Sequence, residues 1–105
     1  MGQQLDPLAF ADSISMPQPP AGLSLALQAL WWDAKGDWDN AHKCAQQRED
    51  APGMRVHAYL HRKEGDLSNA GYWYRRCGAV PSTLTLDAEW EELVRACLQM
   101  DDAAP

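Results

Sequence analysis

The chain has 105 residues, 46% of them hydrophobic and 23% charged, and carries a formal net charge of −6. That is the make-up of one globular domain with a single modest core, and it excludes a largely disordered chain. The acidity is also a poor match for wrapping nucleic acid, which favours a broad basic face, so no nucleic-acid partner is expected.

The opening stretch "MGQQLDPLAFADSISMPQPP" lacks the basic and then apolar order of a secretory leader. It also lacks the Ser or Thr expected at the sixth position of a myristoylation signal. Residues 1–21 are expected to form an N-terminal arm. Asp6 caps a short helix over residues 7 to about 13, with Pro7 at its first position. Pro17, Pro19 and Pro20 then stop any helix. Leu8, Phe10, Ile14 and Met16 are the side chains expected to lay the arm on the domain.

A domain over residues 22–100 follows, with a tail at 101–105. Residues 23–34 are apolar on almost every face and predict a helix buried on more than one side. "KGD" ends it, and Asp37 caps a second helix from 38 to about 49 that stops before "APG". A third helix is predicted from about 54 to 63, ended by "EGD". Asp66 then caps a fourth helix over 67–77, with Gly78 as its stop. After the connector "AVPSTLTL" comes a fifth helix, about 88–100. There Trp90, Leu93, Val94, Cys97 and Leu98 recur at helical spacing, and Glu89, Glu91 and Glu92 read as a solvated face. No segment alternates with period two, so the fold class is all-α. No apolar run reaches membrane-spanning length, and no membrane contact is expected.

The two breaks are copies of one another. "KGDWDNAHKCA" lies over "EGDLSNAGYWY" at an offset of 29 residues, matching Gly36 with Gly65, Asp37 with Asp66, Asn40 with Asn69 and Ala41 with Ala70. Gly lets the backbone leave one helix, Asp caps the next, and Ala lets the pair approach closely. These residues resemble the tetratricopeptide repeat, whose turn is Gly-Asp-aromatic followed by a small residue and a later aromatic. Trp38 stands for the turn aromatic in the first copy and Tyr74 for the later aromatic in the second.

The period is shorter than the family's ~34 residues, and the Trp and Leu-Gly signature of its first helix is missing. The resemblance implies two antiparallel helical hairpins closed by a C-terminal capping helix, with a binding face on the first helix of each hairpin. The wording "HAYLHRKEGD..NA.YWYRR" is also similar to a small group of microbial proteins of this length, a likeness that brings no activity with it.

Charge gives the binding face its expected ligand. Residues 54–78 hold five bases (Arg55, Arg62, Lys63, Arg75, Arg76) against Glu64 and Asp66, while acids dominate on either side. On the third helix, Arg55, Tyr59, Arg62 and Lys63 share one face, read as turned to solvent or to a ligand. His57 and His61 lie between the two apolar sides and are expected to look inward. On the fourth helix, Tyr74 is read as core and Trp73 as half-buried, with Tyr72 and Arg76 exposed and one turn apart. The ligand-binding set is therefore His57, His61, Arg55, Tyr59, Arg62, Lys63, Tyr72 and Arg76. It suits an acidic peptide or a small anionic molecule, unless the bases pair with acids of the same molecule.

Other chemistry is thinner. An i, i+4 histidine pair has chelating geometry, but zinc needs at least a third protein ligand. His42 or a cysteine completes such a site only if the fold brings it close. "HAYLH" is not HExxH, because Ala58 stands where the general base would be. Cys44, Cys77 and Cys97 are odd in number with no paired spacing, as in a reduced, cytoplasmic protein. There is no phosphate loop and no nucleophile elbow. No catalytic residue, metal or cofactor is assigned. The rival readings are a small-molecule or metal-dependent enzyme around a His57/His61 pocket, and a structural homodimer through the arm or the last helix.

Overall fold

The structure, a computed structural model, describes residues 6–103, with side chains to residue 100. Every regular element among them is helical. α1 (Pro7–Asp12) runs into a single 3-10 turn, Ser13–Ser15. α2 (Leu25–Ala34), α3 (Trp38–Gln46), α4 (Ala51–Lys63), α5 (Leu67–Arg76) and α6 (Leu86–Ala103) follow. α6 extends into the stretch expected as a tail. Residues 1–5 of the expected arm and residues 104–105 of that tail lie outside the described residues.

Both Gly-Asp corners close by the same hydrogen bonds. Gly36 N donates to Asp33 O and Asp37 N to Trp32 O; Gly65 N donates to Arg62 O and Asp66 N to His61 O. Gly36 and Gly65 stand at φ +85° and +90°, where a Cβ is strained. Each Asp then serves the next helix as well. Asp37 Oδ1 accepts from Asn40 N at 3.1 Å and Asp66 Oδ1 from Asn69 N at 3.2 Å. One residue thus ends one helix and starts another, which folds α3 back on α2 and α5 back on α4. Ala41 and Ala70, matched by the repeat, are buried at the two contacts.

The α3–α4 junction departs from expectation. "APG" is the first turn of α4, not a break, because Asp50 caps it and Pro52 sits where no intrahelical donor is needed. Gly53 is required there for space: a Cβ would stand 2.5 Å from the Arg48 carbonyl oxygen.

α4 is the centre of the molecule, packed by α2, α3, α5 and α6. The core joins Leu27, Leu30 and Trp31 of α2, Val56, Tyr59 and Leu60 of α4, and Leu93, Val94, Cys97 and Leu98 of α6. Of the arm, Phe10 is buried and Ile14 packs on the core, whereas Leu8 and Met16 are exposed, contrary to expectation. Three indoles donate inward: Trp31 to Ser13 Oγ, Trp38 to the Leu60 carbonyl and Trp90 to the Leu30 carbonyl.

Gly65→Ala is expected to cost about 1–2 kcal/mol through backbone strain alone, since nothing lies within 4 Å of the added Cβ. Gly65→Asn should cost less, because Asn tolerates the left-handed region. Urea denaturation of the two variants checks the order.

Candidate functional site

The structure corrects the reading of the basic stripe. Arg55, Tyr59, Arg62 and Lys63 share one face of α4, but that face meets α2 and α6 rather than open solvent. Arg62 Nη1 donates to Glu89 Oε1 at 2.7 Å, and its Nη2 donates to the Leu84 carbonyl. Arg55 Nη2 reaches Glu92 Oε1 at 3.1 Å, and its Nε lies 3.9 Å from Glu89 Oε2. Lys63 Nζ donates to Asp33 Oδ1 at 2.8 Å, and the Tyr59 hydroxyl to Asp33 Oδ2 at 2.7 Å. Tyr59 is buried, so it presents nothing to a partner.

Glu89 is the hub of this network and is fully buried, not part of a solvated face. Its second oxygen accepts from the Tyr74 hydroxyl at 2.6 Å. Burial and the acceptor carboxylates push the Tyr59 and Tyr74 hydroxyls well above the usual tyrosine range, so both remain donors. A carboxylate can be this deep because two guanidinium groups and a phenol converge on it.

On α5, Tyr72 and Arg76 are exposed as expected. The Arg76 guanidinium lies over the Tyr72 ring at 5.8 Å and the Trp73 ring at 5.0 Å, and it pairs with Glu49 at 2.8 Å. Of the ligand-binding set, Lys63 is exposed as well, Arg55 and Arg62 are half-buried, and His57, Tyr59 and His61 are buried.

The opposite face of α4 holds the other cluster. His57 and His61 are buried, as the helical projection requires, and α3 brings the half-buried His42 to them. His42 Nε2 and His57 Nε2 are 3.0 Å apart. The ligand nitrogens of His42, His57 and His61 all lie within 4.8 Å of one another. Trp38, one turn before His42 on α3, stacks on its ring with centroids 4.9 Å apart. Trp73 of α5 stacks on His57 at 4.1 Å. Two indoles thus wall the imidazoles from both sides. His61 Nδ1 lies 2.5 Å from Glu64 Oε1, within hydrogen-bond distance.

Burial, followed by the fields of His42 and His61, lowers the His57 pKa to about 4. Burial and then His61 lower that of His42 as well. Both rings are therefore neutral at pH 7, the form that binds metals. Carboxylates act on the same rings in the opposite sense, Glu64 and Asp39 on His42 and Glu49 on His57, but more weakly than burial and the neighbouring imidazoles. Cys44 takes no part in the histidine set, and burial pushes its thiol up, away from the thiolate.

Trp38, Trp73 and Glu64 were not among the candidate residues. The Trp38–His42 spacing of one turn is a sequence signal that both share a face, but which helix that face meets is set by packing. No family model, curated protein or solved structure matches this chain. Among the described residues, no helix is long and apolar enough to cross a membrane.

Removing Glu89 takes the acceptor from Arg62 Nη1 and the Tyr74 hydroxyl and the nearer countercharge from Arg62. Glu89→Ala is expected to destabilise the protein by about 3–5 kcal/mol, and Tyr74→Phe by about 1–2 kcal/mol. Arg62→Glu, which sets a carboxylate against Glu89, should unfold the chain more readily than Arg76→Glu. Denaturation midpoints of the four variants test this ranking.

Proposed function

We propose that this chain is a small metal-binding protein built on helical hairpins, in which His42, His57 and His61 hold one late first-row divalent cation, with zinc as the reference ion. The convergence of three imidazoles from two helices, with ligand nitrogens mutually within 4.8 Å, is the observation that carries the reading. Imidazole nitrogen suits zinc, copper and nickel, whereas magnesium and calcium prefer oxygen.

Tetrahedral zinc with Zn–N bonds of ~2.0–2.1 Å separates its ligand nitrogens by about 3.3 Å. The His42–His57 distance of 3.0 Å needs only a small change to meet this. In the metal-free protein one of these two rings must carry a proton on Nε2 to bridge the pair. For an ion to be held by both Nε2 atoms, that proton would have to move to Nδ1 of the same ring, leaving two neutral imidazoles that each offer an Nε2 lone pair. Three protein ligands leave a fourth position for water or an outside ligand, as in zinc sites that act on a substrate.

The two hairpins are read as tetratricopeptide-like, on the matched Gly36/Gly65, Asp37/Asp66 and Ala41/Ala70 positions. An acidic peptide or small anion is a weaker candidate for the ligand. Arg55, Arg62 and Lys63 already face Glu92, Glu89 and Asp33, and an incoming carboxylate would have to displace these. The surface left to such a partner is Tyr72 with Arg76, and Arg76 is itself engaged by Glu49.

The full chain, equilibrated with zinc and freed of excess, is expected to retain one zinc per chain and to melt at a higher temperature, because the ion binds the folded arrangement. His42→Ala, chosen because His42 is the least buried of the three, should stay folded and lose the metal. Calorimetry and metal analysis read both. A His42→Ala protein that holds zinc like the parent would end this reading.

A further inference from the structure

The two Gly-Asp corners permit a comparison inside one molecule. They share their hydrogen bonds and the positive φ of the glycine. They differ in the residue just before that glycine, the C-cap of the preceding helix, which is Lys35 in the first corner and Glu64 in the second. The carbonyl end of a helix carries partial negative charge and favours a cation. Lys35 obeys that preference. Glu64 opposes it, in a last turn otherwise made of His61, Arg62 and Lys63. The corner geometry needs no carboxylate there, and the helix end disfavours one.

Nor does Glu64 serve its basic neighbours, since Arg62 pairs with Glu89 and Lys63 with Asp33. Its Oε1 instead faces His61 Nδ1 at 2.5 Å. The residue matching His61 in the first corner is Trp32, whose indole has a fixed N–H and no tautomer to choose. The carboxylate thus appears at the one corner where a ring nitrogen has to be assigned. Asp66, the other acid beside His61, is engaged in capping Asn69.

Building on the three-imidazole reading, we propose that Glu64 is the positioning residue of the site: it keeps the proton of His61 on Nδ1 and leaves Nε2 bare as the ligand atom. An ionised carboxylate only accepts, so the ring nitrogen facing it carries the hydrogen. Imidazoles that bind metals commonly donate their second N–H to a carboxylate, which fixes the tautomer and raises ligand basicity. The turn that makes the hairpin therefore also sets the chemistry of the site.

Two variants test this in the full chain. Glu64→Lys copies the first corner, and Glu64→Gln keeps the length and one acceptor oxygen. Both should fold, since Lys35 makes the same turn and the Glu64 side chain is more than a third exposed. Zinc affinity, measured by competition with a chromophoric chelator, should fall about 10–100-fold in Glu64→Lys and less in Glu64→Gln. Nitrogen-15 spectra of the metal-free imidazoles should show His61 as the Nδ1–H tautomer in the parent and as a mixture in Glu64→Lys. A parent His61 protonated on Nε2, or a Glu64→Lys protein binding zinc as tightly as the parent, would overturn the proposal. A parent that binds no zinc removes the metal reading instead, and the ring-nitrogen spectra alone then decide whether Glu64 holds His61.

Discussion

The enclosure of α4 governs the rest of the molecule. A helix packed by four others has no side open to water along most of its length, so its polar side chains must find partners within the protein. One flank is basic and is met by the acids of α2 and α6. The other flank carries His57 and His61 and is met by His42, Glu64 and two indoles. The strong charge contrast between the middle of the chain and its flanks follows from this. It is the complementarity of a central helix with its wrapping.

The two flanks solve the same problem with different consequences. Around Glu89, opposite charges and a phenol leave a network that is closed and holds α6 to α4 and α5. A pairing of this kind contributes little over well-packed apolar residues but is costly to break on one side. Around His42 and His57, two neutral rings share a single hydrogen bond between like nitrogens. That contact is a weaker tie than the carboxylate network, because neither ring carries a charge.

Much of the fold was readable from local chemistry. The Gly-Asp corners and the Asp37 and Asp66 caps depend on residues within one turn, and they stand where the sequence places them. The inward aim of His57 and His61 followed from the 100° step of a helix. The projection could not say what waits on each side. Arg55, Arg62 and Lys63 looked like a solvent face because their acidic partners lie 27 to 37 residues away in sequence. Glu89 looked solvated beside Glu91 and Glu92, and its burial depends on donors from two other helices, Arg62 of α4 and Tyr74 of α5, with the charge of Arg55 close by. The start of α4 was misplaced for a local reason: Pro52 and Gly53 read as a break, whereas Pro fits the first turn of a helix and Gly53 answers to the Arg48 carbonyl.

The histidine cluster is short-range in the chain. His42 and His57 are 15 residues apart, and His61 follows one turn later. The bond from Trp90 to Leu30 spans 60. Closing the shorter loop loses about 1 kcal/mol less chain entropy. The nitrogen cluster is thus the low-contact-order part of the molecule, and the docking of the last helix is the high-contact-order part. Chain entropy therefore favours bringing the three imidazoles together ahead of the docking of α6.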